Sequence, residues 1–505
     1  MINTLRHLAA DPGLGSLGSR REANMQDRTW NRAPGSQRIL VAGWFIGVML
    51  GAGIATAQSP GVVTQLSVSA NKRYLVDQHG VPFLMQGDSA QSLIVATTDA
   101  EVVQYLENRR AKGFNAIVVN LIDEHSDCEQ SDTRCRQWNT EFRQHPPLNL
   151  AGEAPFTTPG DFSTPNEKYF AYADWVIRKA AEYGMQALLY PTYLGCKDCS
   201  EGWYDELLAL KPEKCLAFGR YLGKRYKDFD NIIWVMGADR DPGPAQENFD
   251  LVALGVKEYD HRHLFTAHAP PEESAVDCCS LGRWLDFNTT YTYEVVQQKL
   301  LDDYNRTPTM PFVLIEATYE GEHNASEVQV RRQAYWATLC GAFGQFLGNS
   351  PLYGFEGPTI YRSKGTWQEA MDLPGSVDMV YWGRLFRSRA WYDLIPDQKH
   401  EVVTGGLGEF TGCDYLAAAR TSDGSTVIAY MPTSRTITVN MGKVSGAKAI
   451  GWWFDPRTGR ATAAGTFPTS GTQELSPPAQ GDWGLVIDDA SRKLPAPGTK
   501  DLARP

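Results

Sequence analysis

From Arg73 onward the chain alternates two textures: short apolar runs of Val, Ile, Leu and aromatic residues, and longer segments whose apolar residues recur every three or four positions. The short runs read as buried strands and the longer segments as amphipathic helices, so the pattern predicts successive βα units on a parallel sheet. Eight runs stand out: "PFLMQGD" (82–88), "FNAIVVNLI" (114–122), "MQALLYPTY" (185–193), "NIIWVMGAD" (231–239), "LFTAHAP" (264–270), "FNTTYTY" (287–293), "PFVLIEATYE" (311–320) and "QFLGNSPLYGF" (345–355). Helical spacing marks segments such as "DAEVVQYLENRRAKG", "NEKYFAYADWVIRKAAEYG", "KCLAFGRYLGKRY", "QENFDLVALGVKEY" and "EVQVRRQAYWATLCGAFG". Eight such units predict an α/β chain whose residues 65–398 form a (β/α)8 TIM barrel. A doubly wound Rossmann sheet fits less well, because no G-x-G-x-x-G turn follows the first strand and its usual count is six.

After His400 the texture becomes short alternating strands between Gly, Thr and Ser turns, as in "TVIAYMP", "RTITVNM", "AIGWWFDPRTGRA" and "DWGLVIDD". This predicts a small antiparallel β-sandwich over 400–489. The remainder, 490–505, reads as a disordered tail.

The N-terminus changes the picture of where the protein acts. Arg38 precedes an apolar stretch of about fifteen residues that ends in Ala55-Thr56-Ala57, the small-x-small pattern of signal-peptide cleavage. Residues 1–57 therefore read as a secretory signal with a long extension, the true start being Met1 or Met25, and the mature protein as secreted or periplasmic. A membrane span is the weaker reading, since the stretch falls short of the roughly 20 apolar residues a crossing needs. Removing 1–57 takes away six Arg and three acidic residues and moves the formal charge from −11 to −14. An acidic surface argues against nucleic acid as a partner. Nine cysteines in an exported chain suggest disulfides, with Cys128/Cys135 and Cys196/Cys199 spaced for small loops. "CKDC" lacks the second pair a zinc site requires, so no metal and no cofactor is expected.

In a (β/α)8 barrel, reacting groups sit at the C-terminal strand ends. Asp239 closes the fourth run and Glu316 the seventh. Two carboxylates facing one mouth are what glycosidic-bond hydrolysis needs: one protonates the leaving oxygen, the other attacks the anomeric carbon or activates a water. The competing reading pairs Asp239 with Arg240 or a helix N-terminus, and Glu316 with an Arg such as Arg331.

These residues lie inside longer motifs. "QGDSA", "YLENRRAKGFNAIVVNL", "NIIWVMGADRD", "IEATYEG", "RRQAYWATLCGAFG" and "RSRAWYDLIPD" together resemble the apiosidase-like glycoside hydrolases, glycoside hydrolase family 140 and its relatives, over residues 65–489. "GWWFDPRTG" and "GDWGLVI" resemble that family's collagen-binding-type C-terminal module. The resemblance implies a general acid/base at Asp239, a nucleophile at Glu316 and hydrolysis of O-glycosidic bonds in a polysaccharide or complex glycan. Two positions depart from the family pattern: Gln91 replaces a Trp after strand 1, and Ala238 replaces the second Gly of Gly-Gly-Asp.

Further polar and aromatic residues fall where the mouth should open, as a sugar site requires. They are Asp88, Asn120, Tyr193, His268, Tyr291, Tyr293 and Glu320, with Trp203 and Trp367 as loop platforms. "GDSAQ" lacks the final Gly of a nucleophile elbow, which disfavours a serine hydrolase. The other class of function open to such a chain is a non-catalytic carbohydrate- or matrix-binding protein on a barrel scaffold.

Overall fold

In a computed structural model describing residues 65–123, 148–197, 202–278, 284–355 and 365–501, eight strands form one parallel sheet. They are β1 (Met85–Ser89), β2 (Ala116–Asn120), β3 (Gln186–Tyr190), β4 (Ile232–Gly237), β5 (Phe265–His268), β6 (Asn288–Tyr291), β7 (Phe312–Glu316) and β8 (Gly344–Leu347). Each is buried along its whole length, which is why the runs are apolar throughout instead of alternating. The order β5-β4-β3-β2-β1-β8-β7-β6 curls the sheet into a nearly closed barrel. Where β5 meets β6 the seam is bridged by the backbone bond Asp286 N to Phe265 O (2.8 Å) and by hydroxyls: Thr266 Oγ1 donates to Phe287 O (2.8 Å) and Thr289 Oγ1 to Ala267 O.

The surrounding helices are α1 (Asp99–Ala111), α2 (Glu167–Glu182), α3 (Pro212–Tyr226), α4 (Gln246–Lys257), α5 (Val296–Tyr304), α6 (Glu327–Leu339) and α7 (Pro374–Arg387). Their starts follow from local chemistry. Thr98 and Glu101 make a capping box for α1, Asn166 caps α2, and Pro212 and Pro374 open α3 and α7. Helices α3 and α4 approach closely through glycine: a Cβ on Gly219 would stand 2.1 Å from Val252 O. Among the described residues no helix separates β5 from β6, and the eighth run splits into β8 and a helical turn, Ser350–Tyr353, started at Pro351.

The C-terminal strands are β9 (Leu394–Pro396), β10 (Val403–Gly405), β11 (Ala417–Thr421), β12 (Thr426–Met431), β13 (Ile437–Asn440), β14 (Lys448–Asp455), β15 (Arg460–Pro468), β16 (Thr472–Leu475) and β17 (Trp483–Asp489). They form a six-stranded sheet, β9-β11-β12-β17-β14-β15, over a three-stranded one, β10-β13-β16. Alternation along β12 shows how the larger sheet is used: Ile428 and Tyr430 join the barrel's core, while Val427, Ala429 and Met431 fill the space between the sheets. The expected start of this region at residue 400 is too late by a strand.

Charges also cross from barrel to sandwich. Arg331 on α6 donates Nε to Asp482 (2.8 Å) and Nη1 to Asp378 on α7 (2.7 Å), and Arg389 Nη2 reaches Asp488 (2.7 Å). Tyr335 stacks on Tyr430 at 4.3 Å. The expected disordered tail is anchored here as far as residue 501. Pro495 O accepts from Arg389 (3.0 Å) and Gly498 N donates to Ser388 Oγ (2.9 Å), so polar composition is overridden by specific bonds. The leader 1–57, Cys128, Cys135, Cys199 and residues 502–505 lie outside the described residues. No described helix is long and apolar enough to cross a membrane.

Candidate active site

Strand β4 ends in three residues with left-handed backbone: Gly237 (φ 96), Ala238 (φ 132) and Asp239 (φ 46). Gly237 has no alternative, since a Cβ there would lie 2.5 Å from His268 O on β5. Ala238 and Asp239 hold conformations that L-residues adopt at a cost of about 1–3 kcal/mol each, a pattern that concentrates at functional sites. This turn presents the Asp239 carboxylate to Tyr193, whose hydroxyl donates to Oδ2 at 3.1 Å.

Glu316 arrives differently. The β6/β7 register slips between Leu314 and Glu316, and this bulge sets Glu316 opposite Tyr291. Tyr293 Oη donates to Glu316 Oε1 at 2.8 Å and meets Tyr291 Oη at 2.9 Å. His268 Nε2 stands 3.6 Å from Glu316 Oε2, while its Nδ1 meets Tyr190 Oη at 2.8 Å. One donor atom from each of Asp239, His268 and Glu316 lies within 4.8 Å of the others, the one such cluster of three His, Cys, Asp or Glu side chains among the described residues.

Burial pushes the Glu316 carboxyl well above the usual carboxylate range, and the charges of Asp239 and Glu322 push the same way against the Tyr293 hydrogen bond. Burial lowers His268 to about 3, so its imidazole is neutral at any working pH. Glu322, on a short turn after Gly321 (φ 90), is buried as well. Burial raises it to about 7 against a bond from Tyr319 N, and the charge of Asp239 adds to the rise. The mouth therefore gathers three carboxyl groups, and no Lys or Arg is among the causes of the shifts of Glu316 and Glu322.

The structure thus brings together Asp239, Glu316, Tyr193, His268, Tyr291 and Tyr293. It engages other expected residues elsewhere. Asp88 accepts from Tyr105 Oη (2.7 Å) and pairs with Arg109 (3.5 Å), both on α1. Asn120 donates to Asp123 (2.9 Å). Glu320 accepts from Gly375 N (3.0 Å) in the first turn of α7, where a helix favours an anion. Trp367 and Trp203 were expected as exposed loop platforms, but both are buried: Trp367 packs on Phe355 (5.2 Å) and Trp203 on Phe156 (5.7 Å). Arg240 lies over the Tyr204 ring at 3.4 Å, and Arg331 is committed to the sandwich, so the proposed partners of Asp239 and Glu316 are occupied otherwise. Sequence reasoning missed Tyr190 and Glu322. Tyr190 carried a usable signal, as the last residue of a strand.

A barrel with two carboxylates at the ends of strands four and seven, close enough to act on one bond, defines a glycoside hydrolase. The comparisons narrow this: the chain belongs to the apiosidase-like family, whose catalytic-domain model matches residues 69–393, and a model described as "Putative collagen-binding domain of a collagenase" matches 395–488. Among solved structures, one described as a glycoside hydrolase is 24% identical with a TM-score of 0.73, covering 86% of this chain and 98% of its own. A glycoside hydrolase family 5 protein from Bacteroides vulgatus is likewise 24% identical, TM-score 0.73, covering 86% and 95%. Both share the fold. No curated protein matches the chain.

Proposed function

We propose that the chain is an exported retaining glycosidase acting on a polysaccharide or complex glycan. The observation that carries the mechanism is that one oxygen of Asp239 comes within 4.8 Å of one oxygen of Glu316, an approach that favours the close carboxyl pair of a retaining enzyme, about 5–5.5 Å apart, over the pair about 6.5 Å or more apart that leaves room for an inverting water. Glu316 attacks the anomeric carbon as Asp239 gives its proton to the departing oxygen. Asp239 then takes a proton from the water that attacks the same carbon, and Glu316 leaves as a carboxylate. Tyr293 holds Glu316 in place and stabilises its charge, which offsets part of the penalty of burial. Neutral His268, tethered to Tyr190, fills the flank of Glu316 without neutralising it.

The test is a screen of plant and bacterial polysaccharides, with proton NMR of the first-formed product and mass spectrometry after exposure to activated 2-deoxy-2-fluoro glycosides. Retention of configuration and a sugar adduct on Glu316 are expected; inversion with no adduct overturns the mechanism. Export is supported by the apolar leader and by Cys196 and Cys278, which are disulfide-bonded while Cys215, Cys340 and Cys413 are free. N-terminal sequencing of the mature protein is expected to start at Gln58.

A further inference from the structure

Of the three carboxyl groups gathered at the mouth, catalysis by Asp239 and Glu316 leaves Glu322 without a task. Its side chain is almost wholly enclosed, the residue being 3% exposed. Tyr319 N donates to Glu322 Oε2 at 3.3 Å, and the Tyr319 hydroxyl meets Ser89 Oγ at the end of β1 (3.0 Å), so the carboxyl is tied into the barrel end. The other oxygen, Oε1, has no partner among the described residues, yet it keeps accessible surface, unlike the sealed Glu320 Oε2 and Asp88 Oδ1. It belongs to the reacting groups electrostatically: Glu316 and Tyr293 feel the charge of Glu322, and Glu322 feels that of Asp239. A buried acid that serves the fold is answered on both oxygens, as Asp482 is by Arg331 Nε (2.8 Å) and Nη2 (3.0 Å). An acid enclosed with one oxygen open, and with no cation among the causes of its shift, opposes folding and calls for a ligand.

We propose that Glu322 is a specificity-determining residue: its Oε1 accepts a hydrogen bond from a hydroxyl of the sugar bound at the mouth, and its charge excludes a uronic acid there. That the ligand is a sugar rests on the glycosidase reading of Asp239 and Glu316. A neutral sugar brings hydroxyls, which donate readily to an open carboxylate oxygen. A uronate brings a further negative charge to a place where three carboxyl groups already meet in a poorly solvated setting, and there repulsion is strong. No counter-charge answers it from His268, which burial keeps neutral, or from Arg240, which lies over the Tyr204 ring. Contact with one ligand and repulsion of the other together make the selectivity.

Saturation-transfer NMR on the full chain at about pH 8, where Glu322 is ionised, tests this. The probes are the methyl glycosides of glucose, galactose and xylose, set against those of glucuronic and galacturonic acid. The parent is expected to bind at least one neutral probe and to bind each uronide at least roughly tenfold more weakly than its neutral counterpart. Glu322→Gln keeps an acceptor for Tyr319 N but removes the charge, and uronide binding is expected to rise roughly tenfold, closing the gap. Glu322→Asp keeps the charge and loses the reach: neutral binding is expected to fall roughly fivefold while uronides stay excluded. The Asp variant carries the test if the Gln variant misfolds. Transfer from no neutral probe, uronides bound as well as neutral sugars, or a selectivity unmoved by both variants would overturn the proposal. Hydrolysis with unmoved selectivity removes this role and leaves the mechanism; selectivity that shifts as expected without hydrolysis does the converse.

Discussion

The barrel mouth and the barrel–sandwich interface both bury charge, with opposite logic. At the interface each charge has a partner: Arg331 sits between Asp482 and Asp378, and Arg389 faces Asp488. Burial opposes the Arg331 charge, yet these acids outweigh it and hold the guanidinium above its ordinary value. At the mouth, Asp239, Glu316 and Glu322 are like charges pressed together, and at Glu316 and Glu322 burial and repulsion act in the same direction. An arrangement that favours folding is found where two domains must adhere, and one that opposes folding where a bond must be broken. Buried like charges are thus better evidence of function than buried charge as such.

Removing a charge should expose this difference most sharply. Glu316→Gln and Asp239→Asn are expected to lower kcat by about four orders of magnitude, since each removes a reacting group, while Glu316→Gln raises the melting temperature by relieving the mouth. Retained activity on a cleavable glycan would end the assignment. Arg331→Met should do the reverse: two acids lose their counter-charge, stability falls by about 3–5 kcal/mol in denaturant unfolding, and kcat of the folded fraction holds.

Acidity acts on both regions in the same direction. An unfolded Glu322 loses its proton near 4.5 and the folded one near 7. Between those values the folded state holds the extra proton, so its contribution is complete below pH 4.5 and is lost as pH rises toward 7, a fall on the order of 3 kcal/mol. Asp378, raised by burial from 3.8 to about 6, adds a smaller fall over its own window. Melting temperature against pH should decline through this range, and Glu322→Gln should flatten it. An unchanged slope would mean that Glu322 is not buried as described.

How much of this was legible in the chain depends on the range of the interaction. The eight strands were readable because complete burial demands unbroken apolar runs, and Asp239 and Glu316 because a charge ending such a run needs a reason. Asn120 ends its strand too and Asp88 stands one residue before the end of its own, yet an all-apolar run does not reveal which alternate residues face the helices, and Asp88 turned to Tyr105 and Arg109. The choice between Glu320 and Glu322 was made by a left-handed turn at Gly321, which pointed the nearer one to α7 and the farther one to the mouth. Arg331 and Asp482 stand 151 positions apart, and no local pattern announces their bond. The tail was misread for the same reason.

Ala238 offers the smallest and cleanest probe of the mouth. The family pattern places Gly there, and the residue sits at φ 132, where a Cβ is strained and glycine is not. Ala238→Gly is expected to stabilise the fold by about 1 kcal/mol, the relief outweighing the greater freedom of glycine in the unfolded chain. Its effect on turnover carries the mechanistic content. Should the methyl group only strain the turn, kcat holds while stability rises. Should it also fix the aim of Asp239, kcat falls as the turn loosens, with the pH profile unchanged because no titrating group has moved. A loss of stability in Ala238→Gly would mean that the turn at the end of β4 is relaxed, and that the strain assigned to the mouth resides in its charges alone.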